Sequence, residues 1–283
     1  DASSAGVALF PADAKSRAWA VYGEIGYAYT DQLHVVAGLR YSHEHREMRN
    51  QLDFDDGTGP VNLAPSLLRK GNWNSVTPSF TIDYKVSPNT LLYALATKGF
   101  KSGGFASLGL DPEGFAPETV WNYEGGLKTT QLNGALTFNL AAFYSDYTNL
   151  QRRIGSSLAT LRLVNAASAR LYGVEIETTL KPVRGWTIYG TYAYLNAEYE
   201  DFQTAIPEAV DPVTNPNGAV NLKGQPLERS PKHKFSIVSS YLAPLNNGGS
   251  VELTGGVTYQ SLMTFRSGRG SLFEQPAFTL LNA

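Results

Sequence analysis

His43 and His45 stand two residues apart with Glu44 between them, a spacing that puts both imidazoles on one face of an extended strand. Two rings on one face could share a divalent cation. A stable protein site needs three or four ligands, and the residues that follow, Arg46, Glu47, Arg49 and Asn50, read instead as a charged, solvated strand end. Asp53, Asp55, Asp56 and Gly57 concentrate carboxylates, but they lack the spaced ligands and distal Glu of a calcium loop and read as a polar loop. Glu175 and Glu177 also share a strand face. Paired carboxylates can move protons, yet they suit the wet side of a sheet equally well. Gly103-Gly104 has neither the strand–Gly–helix context nor the following Lys-Ser/Thr of a phosphate loop. No Ser/His/Asp arrangement stands out, so neither catalysis nor a bound cofactor or metal is expected.

The elements that carry these residues announce themselves by period two. Leu33, Val35, Ala37, Leu39 and Tyr41 alternate with His34, Val36, Gly38, Arg40 and Ser42. The clearest case sets Leu136, Phe138, Leu140, Ala142 and Tyr144 against Thr137, Asn139, Ala141, Phe143 and Ser145. Ten such segments are legible, and an eleventh begins near Ala277. Alternation means strands with two environments. Each runs about ten residues or more, enough to cross a bilayer at a barrel tilt, whereas soluble strands usually have about five or six.

The connections alternate as well. Short turns at 30–32, 87–89, 129–133, 181–185 and 244–249 are interleaved with long stretches at 47–72, 101–117, 149–165, 200–230 and 265–276. Outer-membrane barrels have short periplasmic turns and long external loops. This places Pro88, Pro182 and Asn247 at the periplasmic rim, and Asp211 and Asn217 outside. Trp19, Tyr29, Tyr41, Trp73, Tyr84, Trp121, Tyr144, Trp186 and Tyr241 fall toward strand ends, where rings with a polar edge form interfacial girdles. In this setting Glu175 and Glu177 line a watery lumen.

Composition agrees. Of 283 residues only 17% are charged, while 12% are aromatic, with 16 tyrosines. The net charge of −2 argues against nucleic acid as a partner. Mean hydropathy is near neutral, as expected when lipid-facing and lumen-facing residues alternate. No apolar run reaches 18 residues, so no transmembrane helix is expected. Cysteine is absent, which excludes disulfides and thiolate metal sites. No secretory leader is read at Asp1. Because an open sheet edge cannot face hydrocarbon, ten strands and a stub suggest part of a larger barrel.

Several motifs then resemble those of TonB-dependent outer-membrane receptors: Lys98-Gly99-Phe100-Lys101-Ser102-Gly103-Gly104-Phe105 at a strand end; Pro117-Glu118 with Tyr123-Glu124-Gly125-Gly126-Leu127-Lys128; Phe143-Tyr144-Ser145-Asp146-Tyr147-Thr148-Asn149-Leu150-Gln151; Asn165-Ala166 with Gly173-Val174-Glu175-Ile176-Glu177; and Leu227-Glu228-Arg229-Ser230-Pro231-Lys232-His233. They follow the family's order and spacing across residues 90–235. The resemblance implies an all-β, antiparallel up-and-down barrel of roughly 22 strands. About 10–11 of those strands would lie in residues 1–283, truncated at both ends, with the plug domain and its TonB-box motif absent.

It further implies an outer-membrane active transporter for a scarce ligand, most often a ferric siderophore, driven by TonB through the missing plug. Its surroundings would be outer-membrane lipid and lipopolysaccharide. Ligand contacts are expected from Arg46, Arg49, Lys101, Phe105, Arg152, Arg153 and Arg229, because a planar guanidinium can hold the carboxylates of an anionic chelate. Outward-facing Arg and Lys would instead meet lipopolysaccharide phosphates or water. The rival readings are a passive porin-like channel and a soluble β-rich binding domain.

Overall fold

The computed structural model describes residues 7–55, 57–106, 113–154, 162–205, 209–268 and 271–283. The strands are β1 (Val7–Leu9), β2 (Ala12–Ala28), β3 (Leu33–Asp55), β4 (Pro60–Ser87), β5 (Thr90–Lys101), β6 (Glu118–Gln131), β7 (Leu136–Ile154), β8 (Arg162–Leu180), β9 (Trp186–Ala205), β10 (Ala219–Asn221), β11 (His233–Pro244), β12 (Ser250–Gln260), β13 (Met263–Thr264), β14 (Glu274–Gln275) and β15 (Phe278–Asn282). The described 3-10 turns include Leu132–Gly134 and Ser271–Phe273, each of three residues. No helix is long and apolar enough to cross a membrane.

The main sheet runs β3-β4-β5-β6-β7-β8-β9-β11-β12-β15, each strand antiparallel to its neighbours in the sheet. β1 and β2 share the outer edge of β3, with Val7 opposite Asp55 and Ala12 opposite Asn50. They form one edge strand interrupted at Phe10 and Pro11, where proline has no N–H to give the ladder. Among the described residues no ladder joins β2 to β15, so the sheet is an arc of a barrel wall.

Register decides which residues share a face, because a one-residue slip would turn every side chain over. Val21, Tyr41 and Val76 lie in one row, and Ile25, Ala37, Phe80 and Ala96 in another. Leu92, Leu127, Leu140, Ile176, Tyr192, Phe235 and Tyr259 continue a single row across seven strands. These rows are apolar and open: Val21 is 65% exposed, Ile25 77% and Leu253 63%. Apolar surface of that extent on a one-layer sheet requires lipid against it.

Among the girdle candidates, Trp19, Tyr41, Tyr84, Trp121, Tyr144, Trp186 and Tyr241 occupy this apolar face, and Tyr29 follows β2 in the adjoining turn. Trp73 does not. It pairs with Glu44, which pairs in turn with Ala18, on the opposite face, where it packs on Phe105 at 5.6 Å between ring centroids. The correction follows from parity: Trp73 lies an odd number of residues from Val76 and therefore projects the other way.

The other face is wet. Tyr93 donates to Glu124 at 2.7 Å, Tyr189 donates to Glu177 at 3.0 Å, and Ser145 donates to Asn122 at 2.7 Å. The Lys128 ammonium sits over the Tyr93 ring at 5.3 Å. A cavity of about 460 Å³ lies on this face, lined in part by Tyr93, Lys128, Glu175, Glu177, Tyr189 and Lys234. Adjacent residues should therefore respond oppositely to charge. Leu140→Arg, on the lipid face, is expected to destabilise the barrel by about 2–4 kcal/mol. Asn139→Arg, one residue away and beside Glu177 (3.5 Å), should be tolerated. Urea-dependent folding of the receptor into vesicles measures both. Equal costs would overturn the face assignment.

The turns at one end are all short, and hold Pro88, Pro182 and Asn247. At the other end the expected loop at 47–72 is largely ladder. β3 runs on to Asp55 and β4 starts at Pro60, so only 56–59 connect them. Above the bilayer both strand faces meet water. Polar residues then occupy both parities and the period-two signal disappears. Asp55 closes this turn by accepting the backbone N–H groups of Gly57 (2.8 Å) and Gly59 (3.2 Å), while Asp53 accepts from Gln51 and Asn62. Asp56 lies outside the described residues. The connections within 149–165 and 200–230 are likewise shortened, since β7 extends to Ile154, β8 begins at Arg162 and β9 runs to Ala205. Their segments 155–161 and 206–208 lie outside the described residues, as does 107–112 of the loop after β5.

Candidate functional site: a clamped mouth of guanidinium groups and rings

At the long-loop end, residues 102–106 and 113–117 lie over the wet face of β3 and β4. Gly104 and Phe115 exchange backbone hydrogen bonds at 3.0 and 2.9 Å, closing the loop on itself. Gly103 lies against the indole of Trp73 and the carbonyl of Phe115, so closely that a Cβ there would overlap both. Gly104 lies beside the Arg46 guanidinium and the Phe115 ring. The glycine pair is therefore a requirement of close approach.

The loop is held from the opposite side by β7. The Gln151 side-chain amide donates to the carbonyls of Ser102 (2.9 Å) and Ala116 (3.1 Å), and its backbone N–H donates to Glu118 (2.9 Å). Asn165 accepts from the Ala116 N–H at 2.6 Å and donates to the carbonyls of Ala116 and Asn149, both at 2.8 Å. Asn149 adopts a positive φ of 57°, in a register shift that breaks the β7–β8 ladder between Tyr147 and Leu150. Asparagine tolerates that conformation better than most residues. The bulge turns Leu150 and Gln151 into the mouth.

Two groups of cations and rings result. In the first, Arg69 is 5% exposed, donates to Asn50 (2.7 Å) and the Ala106 carbonyl (3.0 Å), and lies over Phe105 at 5.3 Å. Arg46 is held by Glu44 at 2.8 Å. In the second, Arg152 lies over Tyr199 at 5.2 Å with Glu228 at 3.9 Å. Tyr199 heads a buried apolar cluster with Leu150, Ala167, Ala169, Phe202 and Leu222. Burial pushes its hydroxyl above the usual phenol range, so the ring stays neutral.

The structure thus brings Arg46 and Phe105 into one group and Arg152 into the other. Lys101 is exposed, opposite Glu118 across β5 and β6. Arg153 is exposed. Arg229 has φ 59°, gives its backbone N–H to Thr264 at 2.8 Å and projects an exposed side chain. Arg49 shares its row with Asp13 and Leu68, on the lipid-side parity, away from the mouth. Sequence reasoning missed Arg69, Gln151 and Tyr199 as site residues and gave Trp73 to the girdle. Arg69 and its face were hidden because 47–72 read as loop. Gln151 and Asn165 did stand within motifs, but no role could be attached to them.

His43 and His45 also point to the lipid side. Their Nδ1 atoms meet Asn74 at 2.7 Å and Asn72 at 2.9 Å, and His45 Nε2 meets Glu47 at 3.1 Å. Among the described residues no group of three or more His, Cys, Asp or Glu is placed to hold a metal. The hydrogen bond with Asn72, then that with Glu47, raises the His45 pKa, while Lys70 and then His45 hold Glu47 down at about 2. The His45 contribution to stability is full below pH 6.5 and lost as pH rises through its raised value; the Glu47 contribution is full above pH 4.5 and lost as pH falls toward 2. Amide exchange in the β3–β4 extension should therefore be slowest, after correction for intrinsic rates, between about pH 4.5 and 6.5. His45→Gln should flatten the upper limb and leave most of the lower one, which rests first on Lys70.

A membrane-spanning barrel wall whose external end is capped by folded loops defines a class of outer-membrane β-barrel protein. The family described as TonB dependent receptor-like, beta-barrel, matches residues 2–283; the chain belongs to this family, whose members reside in the outer membrane of Gram-negative bacteria. It is 28% identical over 215 residues to the metal-pseudopaline receptor CntO of Pseudomonas aeruginosa, covering 75% of this chain and 26% of that protein. It is 26% identical over 185 residues to the ferric-pyoverdine 358 receptor of Pseudomonas putida, covering 63% and 21%. In fold it matches the ferric yersiniabactin uptake receptor FyuA of Yersinia pestis, with a TM-score of 0.78 at 18% identity, over 97% of this chain and 38% of that one. The siderophore receptor PiuA of Acinetobacter baumannii gives a TM-score of 0.71 at 16% identity, over 95% and 36%. The chain thus spans about a quarter of the length of the curated relatives it matches.

Proposed function

We propose that residues 1–283 form wall, mouth and external loops in the barrel domain of a longer receptor that takes up a metal chelate across the outer membrane. Uptake is energised by TonB through a plug seated against the wet face, and the chain is not an enzyme. The observation that supports this most directly is the mouth itself, where Arg46 and Arg69 share one cluster with Trp73, Phe105 and Phe115, and Arg152 and Tyr199 form a second. Fixed guanidinium forks suit carboxylate or catecholate oxygens of an anionic chelate, and the rings suit its flat organic shell.

A ferric siderophore is the first cargo to test. A chelate of another metal is the second, because one relative is named for a metal-pseudopaline complex. The test is uptake of radioactive iron, nickel and zinc, each presented with candidate chelators, in cells carrying or lacking the full gene and in cells lacking TonB. Saturable uptake that needs both the gene and TonB is expected. Linear flux independent of TonB would instead establish a passive channel.

A further inference from the structure

Beneath the first cation–ring group of the mouth, the wet face of β2–β5 is hollowed. Ala18, Ala20, Ser42, Glu44, Thr77 and Gly99 line a cavity of about 520 Å³ there, with Arg40 at its lower end. The register explains the space. Ala18 and Ala20 lie opposite Glu44 and Ser42 and offer only methyl groups. On the other side the β4–β5 ladder ends at Ser79 and Thr97, and the next residue of β4 is Pro78, which has no N–H for a ladder. Beyond that point β4 stays with β3 and β5 stays with β6, and Gly99 contributes no side chain where the strands part. Trp73 pairs with Glu44 at the top of the cavity.

Two charged side chains of the wet-face parity line this space. Lys98, at its edge, pairs with Trp121 and shares that residue's outward parity. Arg40 donates its Nε–H to Ser42 at 3.2 Å, which leans the guanidinium up the strand. Among the described residues Arg40 forms no ion pair, and the proton of the Ser42 hydroxyl finds no acceptor. Glu44 receives Arg46 on one oxygen, Oε2, at 2.8 and 3.2 Å. Its other oxygen accepts no hydrogen bond among the described residues. Ser42 and Glu44 stand two residues apart on one face, about 7 Å along the strand. A guanidinium fork with a hydroxyl therefore sits at one end of a short span, and a carboxylate oxygen at the other. A lone anion would satisfy Arg40 and face Glu44. A lone cation would do the reverse. A group with both charges on one carbon, making a charge-assisted hydrogen bond of about 2.7–2.9 Å at each end, meets both.

We propose that this cavity is a subsite for an α-aminocarboxylate head on the ligand. Arg40 and Ser42 hold the carboxylate, Glu44 holds the ammonium, and the rest of the ligand rises past Trp73 to the mouth. The assignment rests on the uptake reading for the metal-bearing part of the ligand. It adds the organic class: a chelator built on an amino acid, with one zwitterionic end left free of the metal.

The test uses the full-length receptor, purified in detergent, with L-leucine as the probe of the head group. Saturation-transfer NMR reads contact between protein and weakly bound ligand. L-leucine should give a signal. Its methyl ester lacks the carboxylate and N-acetyl-L-leucine lacks the ammonium, so each should bind at least about tenfold more weakly, one charge-assisted contact being lost. R40Q should weaken L-leucine by a similar factor. A20F fills the cavity without changing its charge and should abolish the signal. Heat-modifiable migration on a denaturing gel shows whether each variant has folded. If R40Q fails that check, A20F takes its place, and the three ligands on the native receptor decide the charge recognition independently. No signal from L-leucine on the native receptor, or an undiminished signal in folded A20F, overturns the proposal. Equal binding of N-acetyl-L-leucine overturns it in favour of a plain carboxylate site. TonB-dependent uptake without L-leucine binding sinks this subsite alone. Loss of TonB dependence sinks the uptake reading and leaves the binding result standing.

Discussion

Tyr199→Ala is expected to release the loop that follows β9 from the mouth. The ring is 2% exposed, packs on Phe202 at 4.9 Å and carries Arg152 above it at 5.2 Å. Truncating a buried aromatic side chain costs roughly 3–5 kcal/mol. The barrel ladder does not depend on that ring, so the cost falls on a local unit and not on global unfolding. The unit is well defined: Tyr199 exchanges backbone hydrogen bonds with Gly224 and Gln225, Leu222 donates to Phe202 at 2.9 Å, and Leu227 donates to Ala197 at 3.0 Å. Amide exchange at Leu222, Gly224 and Leu227 should accelerate at least about a hundredfold, while amides in β6 and β7 stay protected. Tyr199→Phe keeps the ring and should change exchange far less. Uniform acceleration across the whole sheet would show that the cluster supports the wall and not only the loop.

Gly103→Val should remove most chelate uptake without unfolding the barrel. A Cβ on Gly103 would fall 2.5 Å from the Phe115 carbonyl oxygen as well as overlapping the Trp73 indole. Backbone and a packed indole cannot both yield. The loop must therefore lift from β4, taking Phe105 off Arg69 and Trp73 and the Ser102 carbonyl off Gln151. If the two cation–ring groups grip the chelate together, affinity should fall tenfold or more, since each lost charge-assisted contact removes about 1.5–3 kcal/mol. Gly23→Ala is the matched control. A Cβ there meets nothing within 4 Å, so uptake should be unchanged. Wild-type uptake by a folded Gly103→Val receptor would remove this loop from the site.

The contrast between these two residues shows how legibility divides. Gly103 stood in a motif and was visible at once, but its reason was not. Trp73, the group it must approach, lies thirty positions earlier in a strand whose face could not be read. Tyr199 gave no signal, because it sits in the upper part of β9, where Glu198, Glu200 and Asp201 surround it and the alternation has ended. Gln151 and Asn165 were legible as members of motifs, yet only the folded chain shows them joining β7 and β8 to the loop after β5. Arg49 and Arg46 looked equivalent as loop cations. Continuation of β3 to Asp55 gave them parities, and parity put one toward lipid and the other into the mouth.

The sequence by itself determined the long antiparallel strands, the short turns at the periplasmic end, the apolar and wet faces within the bilayer, and the family. All of these follow from local rules: alternation at period two, proline and glycine at chain reversals, and motif order. Only the tertiary structure decided what happens above the membrane. There water bathes both faces, no burial pattern marks the strands, and contacts join residues thirty to fifty positions apart through a bulge, a glycine pair and a few buried amides. Hydrocarbon writes a repeating signature into a sequence because it taxes every polar side chain that faces it. A ligand mouth is specified by a handful of long-range contacts, and those acquire meaning only when the chain is folded.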